Sequence, residues 1–214
     1  KIVATIEARM TSSRLPGKPL LKVFQKTMIE HLVLRLKKVN SIDKIVLATT
    51  VNEEDDVLIS AVKDLGINIF RGDENDVMQR VIEAADSVDA STIVEITGDC
   101  PLIDPQIIEQ CIRMYKIHDA DYVSNAVIRS YPDGMDTQVF SLKTLKKSAS
   151  MTNDLLDREH VSLHIRNNPK IFKQIHLVAP PEIHWPSLGI TLDEIGDYEL
   201  IKIIIENLYK KNPY

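Results

Sequence analysis

The sequence predicts an α/β fold: a three-layer, doubly wound sheet, mixed but mostly parallel, with a small inserted α+β lobe. Three observations predict it. Short β-branched runs alternate with amphipathic stretches of helical period over the first 125 residues. The runs are four to seven residues long and end in polar loops. Parallel strands need crossover connections, which the intervening helices supply.

Ile2–Ile6 reads as the first strand. Thr27–Val39 carries apolar residues at 28, 29, 32, 33, 36 and 39, a helical spacing. Lys44–Thr50 is a second buried strand. Glu53–Leu65 is a helix closed by Gly66. Ile67–Phe70, Thr92–Thr97 and the start at Tyr122–Ser124 read as further strands. Asn75–Val88 and Pro105–His118 are the helices between them, the latter capped by Asp104. After Asn125 the pattern changes. Met135–Phe140 and Ile171–Val178 alternate like antiparallel strands, Leu155–Asn167 is helical, and Glu194–Lys210 is an apolar-striped helix. This divides the chain into an α/β core of residues 1–125 and 189–214 and a lobe of residues 126–188.

The chain of 214 residues suits one domain with a small lobe. Its net charge of −5 argues against general nucleic-acid binding. Cys100 and Cys111 are too few for a disulfide framework, and no paired Cys/His cluster suggests structural zinc. No apolar run approaches the roughly 20 residues that span a bilayer, and no signal peptide is apparent. The expected compartment is the reducing cytoplasm. The chain lacks an initiator methionine and stops straight after a helical pattern, so the natural protein is expected to run on.

In doubly wound sheets ligands sit at the carboxyl ends of the strands. That rule selects the loops after Ile6, Thr50, Phe70 and Thr97. The first holds Ala8, Arg9, Met10, Thr11, Ser12, Ser13, Arg14 and Lys18: three cations and three hydroxyls in eleven residues. Such a loop suits a nucleoside triphosphate, although a solvated basic turn has the same composition. It is not a Walker loop, because GxxxxGK[ST] is absent. Gly98 and Asp99 follow the fourth strand, and Asp99 at its mouth is a candidate magnesium ligand. Asp193 is the candidate second carboxylate. Asp193 could instead cap the last helix, and Asp197 is an alternative ligand in that helix's first turn. Cys100 has no base near it in sequence and reads as a small core residue.

The stretch IEARMTSSRLPGKPL resembles the signature of the cytidylyltransferases that activate sugars and sugar acids, and is most similar to their SpsF-like spore-coat polysaccharide branch. KIVLATT, FRGDENDVMQR, ITGDCPLIDP, YPDGMDTQVF, DREHV and LDEIGDYELI extend the resemblance over most of the chain. Two positions depart from the branch: Thr11 stands where Gly is usual, and Gln138 where Glu is usual. The resemblance implies a GT-A-like nucleotidyltransferase fold and transfer of CMP, or another NMP, to a sugar-phosphate or sugar acid. It implies catalytic roles for Arg9, Lys18 and Asp99, with Asp99 and Asp193 on Mg2+. Arg14 is a third phosphate candidate, or a residue that fixes the loop through an acidic partner. Arg71, Asp76 and Arg80 are further nucleotide candidates, the last two also an ordinary i,i+4 ion pair. In the lobe, Tyr131, Asp136, Gln138, Arg158, Glu159 and His160 are acceptor candidates, or residues making surface hydrogen bonds.

No general base stands out, which leans toward a phosphorylated acceptor. The nucleotide is CTP by resemblance, with GTP open. A nucleotide-sugar glycosyltransferase and a non-catalytic nucleotide-sensing module are the rivals; the first would usually show D-x-D where this chain has Gly-Asp-Cys. No nucleic-acid or membrane partner is expected. A homodimer through residues 126–188 is expected, because that lobe is too small to bury a core well and because sialic-acid cytidylyltransferases, which the chain resembles more distantly, dimerise through theirs.

Overall fold

A computed structural model describes residues 1–208. Strand β1 (Ile2–Glu7) runs into a loop, a small hairpin of β2 (Lys22–Val23) and β3 (Lys26–Thr27), and helix α1 (Met28–Leu36). Then come β4 (Lys44–Thr50), α2 (Asp56–Val62), β5 (Asn68–Gly72), α3 (Val77–Asp86), β6 (Thr92–Thr97) and α4 (Pro105–Ile117). The remainder is β7 (Tyr122–Ser124), β8 (Gln138–Ser141), α5 (Leu142–Ala149), α6 (Leu155–Glu159), α7 (Leu163–Asn167), β9 (Gln174–His176) and α8 (Ile195–Leu208).

Seven strands form one sheet in the order β5-β4-β1-β6-β8-β7-β9. Only the pairings of β8 with β6 and β7 are antiparallel. Alternate strand residues face opposite sides, so Ala4, Ile6, Leu47, Val94 and Ile96 pack under α1, α2 and α4, while Val3, Val46, Ala48 and Ile93 pack under α3 and α5. This is the expected three-layer arrangement. A third apolar cluster joins Ile201 and Ile205 of α8 to Val23, Met28 and Leu192. The helix starts are chemically marked. Thr27 and Glu30 form a capping box on α1, and Asp104 accepts from the Gln106 N–H at the start of α4. No helix among the described residues is long and apolar enough to cross a membrane.

Three differences from the sequence reading concern the second half. Residues 126–188 do not stand apart as a lobe with its own sheet: β8 and β9 belong to the main sheet. β8 inserts between β6 and β7, pairing Gln138 with both Glu95 and Ser124, and β9 extends the sheet beyond β7. Strands of three or four residues satisfy few backbone groups alone, and insertion pairs both sides of β8. The helix expected over Leu155–Asn167 breaks between α6 and α7. There Val161 takes a φ of 40° and buries its side chain in the apolar cluster under α3 and α5. The expected return to the sheet after residue 188 is one bridge, Gly189 to Asp133, followed by irregular chain. Residues 209 and 210 of the expected last helix lie outside the described residues.

Asp55, after β4, ties the first functional loop to the sheet. Its carboxylate accepts from the Met10 N–H at 2.7 Å, from both the N–H and hydroxyl of Thr50, and from the Thr49 hydroxyl. Burial pushes its carboxyl pKa up, but these bonds outweigh burial and hold it below the ordinary value. Asp55→Ala is therefore expected to leave several buried donors unmatched and cost roughly 2 kcal/mol or more, read as a lower urea midpoint.

Candidate active site

β4 and β6 lie on opposite sides of β1, and the helices that follow β1 and β5 pack on opposite faces. The loops after β1 and β6 leave the carboxyl ends of these adjacent parallel strands, on either side of which the chain order reverses, and border one cleft. Ala8, Arg9, Ser12, Ser13, Arg14 and Lys18 line it from one side, Gly98 and Asp99 from the other, and Asp193 closes it from the segment before α8. Met10 does not line the cleft; its carbonyl accepts from the Gly17 N–H at 2.9 Å and closes the loop on itself, with Gly17 at a φ of 75°. Gly98 is required by proximity: a Cβ there would lie 2.6 Å from Ala8 Cβ and 2.8 Å from the Glu7 carbonyl oxygen.

The charges converge on Lys18. Its Nζ is 3.0 Å from Asp193 Oδ1 and 3.6 Å from Asp99 Oδ2, and Arg14 reaches the same Asp193 oxygen at 2.8 Å. The Leu192 N–H donates to the Asp99 carbonyl at 2.8 Å, fixing the two acidic segments side by side. Asp197 accepts from the N–H groups of Asp193 and Glu194, so its carboxylate caps the start of α8 while that of Asp193 faces the cleft. Arg9 donates to Glu74 at 3.0 Å, and Thr11 and Asn52 donate to the same carboxylate. These bonds, led by that from Asn52, hold the Glu74 carboxyl below its ordinary pKa.

Other candidates are placed differently. Arg80 lines the cleft but is buried, and its guanidinium donates to the carbonyls of Ala48, Asp73 and Glu74. Arg71 is held away from the cleft by the carbonyls of Thr50 and Asn52 and by Asp56 at 2.7 Å. Asp76 caps α3 and pairs with Arg158 rather than with Arg80. That pair borders a neighbouring hollow, because it clamps α3 to α6. Tyr131 is a core residue, its ring 1% exposed within the apolar cluster under α1 and α4. Asp136, Gln138, Glu159 and His160 do come together, around an inner cavity of about 290 Å³ continuous with the cleft through Asp99 and Asp193. Cys100 is buried; burial and then Asp99 push its thiol pKa up, consistent with a packing role.

The sequence reading missed the cavity's floor: Glu7, Glu95, Ser162 and Arg166. A signal existed. A carboxylate in the middle of the apolar strand TIVEIT, and another ending IVATIE, sit where a buried strand carries apolar residues. Burial, then repulsion from Glu95, raises the Glu7 carboxyl well above its ordinary pKa. Burial raises Glu95 to about 7, against the opposing effects of Ser162, Arg166 and Gln138. A carboxyl raised by folding binds more protons folded than unfolded. Stability therefore falls as pH climbs from the ordinary value of 4.5 toward about 7. Glu95→Gln is expected to lose less stability than wild type across that window, by roughly 3 kcal/mol, in urea titrations at pH 5 and pH 8.

With this geometry in place, similarity to known proteins is informative. The sequence pattern of a cytidylyltransferase family matches residues 3–192. The spore coat polysaccharide biosynthesis protein SpsF of Bacillus subtilis is 33% identical over 211 residues, covering 96% of this chain and 86% of its own. A cytidylyltransferase from Leptospira borgpetersenii superposes with a TM-score of 0.90 at 31% identity, covering 100% of this chain and 95% of its own. A CMP:2-keto-3-deoxy-manno-octonic acid synthetase complexed with CTP shares the fold at a TM-score of 0.72 and 20% identity, covering 97% of this chain and 99% of its own.

Proposed function

The chain belongs to the cytidylyltransferase family, and we propose that it transfers CMP from CTP to a sugar-phosphate or sugar-acid acceptor, releasing pyrophosphate, in the synthesis of a surface polysaccharide. It is a nucleotidyltransferase. The observation that carries the finer reading is the meeting of Lys18, Asp99 and Asp193 where the cationic cleft joins the polar inner cavity. A donor in the cleft and an acceptor in the cavity would touch at that junction.

The loop after β1 binds the triphosphate. Arg9, Arg14 and Lys18 supply positive charge, and Ser12 and Ser13 supply hydroxyl donors. The carboxylates now paired with Arg9, Arg14 and Lys18 keep these side chains in place for phosphate oxygens to engage. Asp99 and Asp193 would hold magnesium. No three His, Cys, Asp or Glu side chains form a metal-holding group among the described residues, but two hard carboxylates at one point fit an ion that takes its other ligands from phosphate and water. Bound there, magnesium would neutralise phosphate charge and polarise the α-phosphate. The acceptor, held by Asp136, Gln138, Glu159 and His160, presents one oxygen to the α-phosphorus. That oxygen forms the new P–O bond as the bond to pyrophosphate breaks, and Lys18 stabilises the charge that develops; a phosphate acceptor attacks already ionised, whereas a sugar-acid hydroxyl releases its proton to solvent as the bond forms.

Asp99→Asn should fold normally yet lose magnesium-dependent pyrophosphate release by at least roughly a hundredfold. A coupled pyrophosphate assay with CTP and acceptor pools measures this, and turnover within a few-fold of wild type would reject the metal pair.

The homodimer is part of the same proposal. β9 ends the sheet, and Val178, Ile183 and Trp185 nearby in sequence are exposed. An open edge beside exposed apolar side chains suits a self-complementary contact. Light scattering should give twice 24.2 kDa; a mass that stays at one chain as concentration rises would exclude the dimer.

A further inference from the structure

Resting on the cytidylyltransferase reading of the outer cleft, we propose that the inner cavity selects an acceptor bearing a basic amino group, held between Glu7 and Glu95. The strand register sets Thr5 opposite Glu95 and Glu7 opposite Thr97, so both carboxylates rise from the same face of adjacent strands into one cavity. Glu95 is 4% exposed and Gln138, its partner on β8, 9% exposed. Both oxygens of Glu7, Oε2 of Glu95 and Oε1 of Gln138 lack a hydrogen-bond partner among the described residues. All four orphaned atoms are acceptors. Nε of Arg166 and the hydroxyls of Thr5 and Tyr122 are unmatched nearby as well, but none of them lies within hydrogen-bond geometry of these oxygens. Arg80 and Arg166 act on the carboxylates through space, yet neither makes an ion pair within 4.0 Å with them.

Buried acceptors without donors are costly, and a ligand that fills the cavity must supply the donors. A hydroxyl supplies one and leaves the two carboxyls either protonated or, once ionised, repelling each other. An ammonium supplies three together with the opposing charge. Depth fixes which end of the acceptor carries it. Glu95 lies two residues below Thr97 on β6, about 7 Å further in, whereas Asp99 lies beyond the strand's end. The amine therefore belongs to the part of the sugar remote from the attacking oxygen.

The test compares matched acceptors, hexose 1-phosphates and ulosonic acids, in which one substituent remote from the reacting oxygen is an amine, a hydroxyl or an acetamide. Rates with CTP and magnesium should favour the amine over its hydroxyl partner by roughly tenfold or more, with the acetamide no better than the hydroxyl. Glu95→Gln should erase most of that ratio, and Glu7→Gln serves if Glu95→Gln fails to melt cooperatively. Equal rates for amine and hydroxyl, no turnover of any amine, or an unchanged ratio in a folded variant would overturn the proposal. Calorimetric titration with CTP, run alongside, separates the two levels. CTP binding without amine preference removes only the amine subsite, whereas absent CTP binding removes the nucleotide reading beneath it.

Discussion

One cation holds the cleft together. Lys18 draws Asp99 and Asp193, which are far apart in sequence, to a single point. Three segments meet there: the loop after β1, the turn after β6 and the chain entering α8. Left alone, two carboxylates gathered around one point would repel each other. The lysine removes that penalty. In the proposed reaction the same carboxylates would exchange it for a metal and its phosphate. The interaction that orders the free protein is thus also the one the proposed reaction would rearrange.

The surrounding structure keeps this junction narrow. Asp55 hangs the β1 loop on the end of β4 through the Met10 N–H. Gly98 lets the β6 turn approach Glu7 and Ala8 closer than any side chain would permit. Asp197 accepts from the N–H groups of Asp193 and Glu194 just before α8, which fixes that segment and leaves the Asp193 carboxylate to face the cleft. Each device spends local polarity on position, and none requires a long-range conformational change.

Along β1 and β6 one face of the sheet changes character. Val3 and Ile93 are core residues; two positions on stand Thr5 and Glu95, and two further Glu7 and Thr97. α3 and α5 cover the apolar end, while the polar end is left to the cavity. The fold thereby carries its interior polar groups into the inner cavity, where, on the proposed reading, desolvated carboxylates would discriminate among ligands more strongly than in water.

The parallel half of the sheet was legible in the sequence. Lys44–Thr50 and Thr92–Thr97 are bounded as their apolar runs suggested, and the cap at Asp104 is visible in the residues themselves. So was the placement of Arg9, Lys18 and Asp99 in loops at the strand ends that border one cleft. The sequence by itself determined these features because they depend on neighbours within a few residues. The tertiary structure alone decided that β8 inserts between β6 and β7, that Arg71, Asp76 and Arg158 hold the scaffold instead of the cleft, and that Tyr131 is core. It also decided that Glu7 and Glu95 share a buried face. Those outcomes turn on which partner, tens of residues away, satisfies a backbone edge or a charge, and local pattern does not record that choice.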